Sequence, residues 1–160
     1  MMLSARIDPE SRAAIARAHE NAPVNVAQVA ADLGVRAYAE PLPAGVSGKL
    51  YRDMSARSGW SLSVNNREVG TRQRFTAAHE LGHFLLHRGL VNESVVDDTY
   101  YRSGLSSRQE TEANEFAADL LMPWSLIQKL TAAGVTTAEG LAEALQVSQV
   151  AMNIRLGIPT

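Results

Sequence analysis

The stretch His79-Glu80-Leu81-Gly82-His83 sets two imidazoles four positions apart with a carboxylate between them. On a helix, residues i and i+4 lie one turn apart on one face. Both rings can then reach a single ion at zinc–nitrogen distances of about 2.0–2.1 Å. Glu80, three residues before His83, shares that side and can take a proton from a water that such an ion activates. The types and spacing point to metal-assisted hydrolysis. The alternative is a core helix that happens to carry three histidines. The setting weighs against it, because Phe75, Ala78, Leu85 and Leu86 give the helix an apolar surround. Gly82 costs roughly 1 kcal/mol relative to alanine inside a helix, which suggests that something approaches the backbone closely there.

A catalytic zinc takes three protein ligands and leaves one position open. The chain has no cysteine, so thiolate ligands, disulfides and a cysteine nucleophile are excluded. His87 lies eight residues beyond His79, about 12 Å along a helix axis, too far to share its ion. It is expected in the last turn, where the helix dipole favours a partly charged imidazole. His19 is expected on the surface of the first helix. The third ligand should therefore be a carboxylate, and the acidic segment "SRQETEANEFAADLLMP" offers several. Ala113, Ala117 and Leu121 lie at +3, +7 and +11 from Glu110, so Glu110 projects from the buried stripe. An acid there is costly unless paired or bound to metal. Asn114, at +4, can orient a ligand from behind. Glu112, Glu115 and Asp119 fall on another face and are expected to be solvated. A capping box from Ser107 to Glu110 is the competing role for that glutamate.

These residues need elements to hold them. Asp8 with Pro9 marks a first helix start and Asn25 a second. Three strand patterns follow: "VRAYAE", "VSGKLYR" and "WSLSVN". In the last, Trp60, Leu62 and Val64 alternate with Ser61, Ser63 and Asn65, and the strand could offer a sheet edge to an extended substrate. A helix from an N-cap at Thr71 to Gly89 carries the histidine pair. Residues 90 to 106 have no clear period and read as a loop. The Glu110 helix ends at Pro123, a further helix follows, and residues 137–157 form a helix pair. The fold class is α+β, with a short, mostly antiparallel three-stranded sheet packed on the two site-bearing helices, all in one domain over residues 1–160. Tyr51, Tyr100 and Tyr101 are candidates to steady an oxyanion.

The chain is 160 residues long, 46% hydrophobic and 20% charged, with a formal net charge of −2. No apolar run resembles a signal peptide or a membrane span, so a cytoplasmic protein without membrane contact is expected. "TAEGLAEALQVSQVAMNIRL" has the rhythm of a helix-turn-helix. From Gly134 onward, however, its charged residues are Glu139, Glu143 and Arg155, and phosphate binding needs cations. Packing helices are expected instead, with Leu141, Leu145, Val147, Ala151 and Leu156 closing the core and no direct nucleic-acid contact.

"RQRFTAAHELGHFLLH" followed by "ETEANEFAADLLMP" resembles the ImmA/IrrE metallopeptidase family of bacteria and their mobile elements. "PVNVAQVAADLGV" and "LAEALQVSQVAMNIRL" extend the likeness over most of residues 20 to 157. The resemblance implies a small zincin-like fold of the gluzincin type. In it His79, His83 and Glu110 would be the zinc ligands and Glu80 the general base. Zinc is the expected cofactor, one per chain, with manganese as an in vitro substitute. The implied function is cleavage of a helix-turn-helix repressor, relieving repression of stress or mobile-element genes. The alternative is a repressor-associated or toxin-like binding partner with a structural or vestigial zinc site.

Overall fold

Local chemistry sets the first two helices in a computed structural model that describes residues 2–91, 94–98 and 105–159. Helix α1 (Pro9–Ala18) starts where the Asp8 carboxylate accepts from the Ser11 amide at 2.9 Å, with Pro9 in the first turn. Helix α2 (Val26–Asp32) starts where Asn25 accepts from the Gln28 amide at 3.0 Å. Gly34, at φ 77°, takes the left-handed turn that leads into the sheet.

Strands β1 (Arg36–Glu40), β2 (Val46–Arg52), β3 (Trp60–Asn65) and β4 (Ser94–Asp98) form one mixed sheet in the order β1-β3-β2-β4. The β1–β3 pair is parallel, while β2 pairs antiparallel with both β3 and β4. Two expectations change here. The segment after residue 90 is not all loop, since Ser94–Asp98 adds a fourth strand. In addition, β3 is central, flanked on both sides, so "WSLSVN" offers no edge; among the described residues the edges are β1 and β4. All six β3 residues are buried, including the polar ones. Ser63 lies in register between Tyr38 and Lys49, whose larger side chains flank its small hydroxyl. Ser61 donates to Asp53 at 2.6 Å, and Asn65 donates to the Val46 carbonyl at 2.9 Å.

Helix α3 (Gly70–His87) lies against β2 and β3 and pairs most extensively with α4 (Ser107–Leu121). Its N-cap is Val69, without a side-chain cap, rather than Thr71, and it ends two residues before Gly89 in a 3-10 turn, Arg88–Leu90. Helices α5 (Trp124–Ala132), α6 (Ala138–Leu145) and α7 (Gln149–Leu156) complete the described elements. Leu50, Leu62, Leu81, Phe116, Leu145 and Met152 are almost wholly hidden from solvent. Each such side chain contributes about 1.5–3 kcal/mol by burial. The α6–α7 pair closes this core through Leu141, Leu145 and Val147, while Ala151 and Leu156 are half-buried. Arg74 ties it to α3 by donating to the Gln146 and Leu145 carbonyls. No described helix is long and apolar enough to cross a membrane.

Candidate active site

Helix α3 sets His79 and His83 with their ring centroids 4.6 Å apart and nearly perpendicular. Both histidines are buried, and Glu80 between them is 0% exposed. Helix α4 crosses at Gly82, where an added Cβ would meet Phe116 Cδ1 at 3.1 Å and Ala113 Cα at 3.2 Å. This close approach delivers Glu110. His79 Nε2 lies 3.2 Å from Glu110 Oε2, and His83 Nε2 lies 2.9 Å from Glu110 Oε1. The three residues offer ligand atoms all within 4.8 Å of one another.

The capping box that competed for Glu110 falls one residue earlier. Ser106 and Gln109 exchange the two reciprocal bonds at 3.2 and 2.8 Å. Glu110 is thus not used as a cap, and its half-buried carboxylate faces the histidines.

Behind the rings sit their orienting groups. Asn114 Oδ1 is 2.8 Å from His79 Nδ1. His83 Nδ1 is 2.9 Å from His87 Nδ1, and His87 Nε2 is 2.9 Å from Glu112 Oε1. Arg6 donates to Glu112 Oε2. His87 stands in the last turn of α3, as expected, but its ring is engaged by His83 and Glu112 rather than left to the helix dipole. It is 1% exposed, and burial holds its pKa below the ordinary value against the opposing pull of Glu112. Glu112 is not on a solvated face. The hydrogen bonds from His87 and then from Arg6 hold its carboxyl below the usual range. Asp119 also has a partner, Arg155 at 3.0 Å. His19 is half-buried at the end of α1, its Nε2 3.0 Å from the Leu120 carbonyl, and burial lowers its pKa. The signal for His87 was in the sequence, because it stands one helical turn after His83 on the same stripe.

Behind Glu80 the sheet comes close. A Cβ at Gly48 would stand 2.4 Å from Thr76 Cγ2 and 2.9 Å from the Ser63 carbonyl, with Glu80 Cγ at 3.7 Å. Glycine inside a strand marks such a close approach. Since side chains alternate along a strand, Tyr51, three residues on, projects from the opposite face of β2. There Lys49 lies over its ring at 5.1 Å. Tyr51 is thus turned away from the histidines and is a poor oxyanion partner. Tyr100 and Tyr101 lie outside the described residues.

In front of His79 and Glu110 opens a cleft of about 800 Å³. Its far wall is α7, with Val150 and Ile154 60% and 69% exposed. Val69, Phe75 and Met122 add apolar lining.

The donor set fits a metal ion. His83 Nε2 is buried and makes no hydrogen bond, although Glu110 Oε1 is 2.9 Å away. An ion held between the two rings and the Glu110 carboxylate would satisfy this nitrogen. Tetrahedral zinc holds its ligand atoms about 3.3 Å apart, close to the spacings seen here.

A mixed sheet behind an HExxH helix, with a carboxylate delivered by the next helix, is the build of a zincin-like domain. The chain belongs to the peptidase family described as the IrrE N-terminal-like domain, whose profile matches residues 30–157. It is similar to the radiation response metalloprotease IrrE of Deinococcus radiodurans, 33% identical over 93 residues and 58% of this chain. It is also similar to the protein of the same description from Deinococcus deserti, 40% identical over 80 residues and 50% of this chain. In each case the match spans 28% of the relative's length.

Proposed function

We propose that this chain is a zinc-dependent endopeptidase that cuts a helix-turn-helix repressor and so relieves repression of stress or mobile-element genes. The observation that carries the metal chemistry is the buried His83 Nε2, without a hydrogen bond and aimed at the same place as His79 Nε2 and Glu110. His79, His83 and Glu110 are the ligands, with zinc the ion that suits two imidazoles and a carboxylate. When bound, it polarises the scissile carbonyl and makes water acidic enough to attack near neutral pH.

The chain's own residues do the rest. Glu80 accepts the proton of the attacking water and passes it to the departing amine nitrogen as the C–N bond breaks. Its burial excludes bulk water from that exchange. Asn114 and His87 hold the two rings in orientation from behind. Val150, Ile154 and Phe75 offer apolar surface to substrate side chains beside the ligands.

Support for the repressor as substrate comes from the family resemblance, while the geometry supports only a peptide. A cleft open on one side cannot enclose a folded protein, so the substrate needs an exposed, extended segment. Co-incubation with zinc and a helix-turn-helix protein encoded nearby, read by intact mass, tests the proposal. One discrete cut, absent with Glu80→Gln, is expected. A tight complex with no cut would overturn the peptidase assignment in favour of a binding role.

A further inference from the structure

The metal ligand His83 is backed by three residues from three parts of the chain. His87 Nδ1 meets its Nδ1 at 2.9 Å, Glu112 Oε1 meets His87 Nε2 at 2.9 Å, and Arg6 donates to the other oxygen of Glu112. His87 comes from α3 itself, Glu112 from α4 and Arg6 from the 3-10 turn Met2–Arg6. We infer that Arg6, Glu112 and His87 form a positioning relay that fixes the proton of His83 on Nδ1, which leaves its Nε2 lone pair facing the ion site. The inference rests on the metal reading for its purpose, but the proton placement stands on these contacts and the charges around His87, with no ion needed.

The direction of each bond follows from donor chemistry. An ionised carboxylate only accepts, so His87 Nε2 carries the hydrogen that points at Glu112. A contact of 2.9 Å between two ring nitrogens holds a single proton, because two lone pairs repel and two hydrogens collide. That proton belongs to His83 if His87 is neutral, and the charges require it to be. The Glu112 carboxylate is already balanced by the Arg6 guanidinium, so a cationic His87 would be a surplus charge in a ring 1% exposed. A buried charge without a partner is strongly unfavourable, and here it would also stand beside a site built for a cation. His87 Nδ1 therefore accepts and His83 Nδ1 donates.

The arrangement is not matched at His79. Asn114 supplies an amide there, and an amide can present either its oxygen or its nitrogen. Glu112 has no such choice. The relay is the part of the site that permits only one tautomer.

The test uses the full chain without metal and then with zinc. Proton–nitrogen correlation spectra of the histidine rings read the tautomers in the metal-free protein. In the wild type, His83 should be protonated at Nδ1 and His87 at Nε2. Glu112→Leu should scramble both. Competition against a chromophoric chelator reads zinc affinity. His87→Phe and Glu112→Leu should each weaken it by about 10- to 100-fold, the range for lost groups behind a metal ligand. His87→Gln, whose carbonyl can still accept from His83, should recover most of that loss.

A merely structural role would lower thermal stability in all three variants without separating Gln from Phe in zinc affinity, and that pattern would overturn the relay. So would His83 protonated at Nε2 in the wild type. Should His87→Phe fail to fold, Glu112→Leu and His87→Gln still decide the matter. A wild type with the expected tautomers that takes up no zinc would sink the metal reading and leave the proton placement intact.

Discussion

Gly82 faces Phe116 so closely that one added methyl group would stand 3.1 Å from Phe116 Cδ1 and 3.2 Å from both Phe116 Cβ and Ala113 Cα. Gly82→Ala removes a helix cost of roughly 1 kcal/mol but overpacks a backbone contact, at about 1–3 kcal/mol. Ala113 Cα cannot yield unless α4 moves. Net destabilisation of up to about 2 kcal/mol in urea melts is expected, together with weaker zinc binding because α4 carries Glu110. A variant more stable than the parent with unchanged zinc affinity would show that the crossing is loose.

Glu80→Gln should keep fold and metal and lose cleavage by roughly 10²–10⁴-fold, the usual worth of a positioned base. Elemental analysis and peptide turnover on the same sample separate the two. Cleavage near the parent rate would mean that another group takes the proton.

The glutamates of α4 should rank in zinc titration. Glu110→Ala should lose the ion almost entirely, Glu112→Leu should weaken it, and Glu115→Ala, on an exposed position, should leave it unchanged. Excess chelator should also lower the melting temperature of the wild type. Zinc at 100 times its Kd stabilises by about 2.7 kcal/mol, and that increment should be missing from Glu110→Ala. Equal chelator sensitivity in the two proteins would remove Glu110 from the ligand set.

Asp53 gives a pH signature away from the site. Hydrogen bonds from Ser55 and Ser61 lower its pKa from 3.8 to about 2. A depressed acid stabilises the fold above its unfolded pKa and ceases to do so as pH falls through the folded one. Asp53→Asn should therefore be less stable than the parent above pH 4, and the gap should close between pH 3.8 and about 2. A gap that persists at pH 2 would mean that the loss is steric.

What the sequence revealed depended on whether one element could be read alone. The HExxH helix and the Glu110 helix were legible because each carries its own period, and Gly82 marked their crossing. Glu112 was misplaced because a helical wheel sees only its own helix. By phase it points away from the Ala113–Ala117 stripe, yet His87 reaches across from α3 to meet it. Strand β3 reads as half-exposed because its serines are polar, while register places Ser63 between Tyr38 and Lys49. Strand β4 is too short and acidic to announce itself. Tyr51 was one of three tyrosines offered for the oxyanion, and a list of residue types could not show that the two-residue period of β2 sends it to the other face.

The two walls of the cleft have separate ancestry in the chain. One wall, from α3 and α4, holds the chemistry, and the other, α7, meets it with Val150 and Ile154. Helix α7 is held by Met152, buried in the core, and by rim contacts such as Arg155 to the Met122 carbonyl at 2.9 Å, and none of His79, His83 and Glu110 lies on it. Selection can therefore revise the diet of such an enzyme while leaving its cutting edge alone. Chains that differ only in the outward positions of this last helix should share metal content and pH behaviour and part company in the peptides they accept.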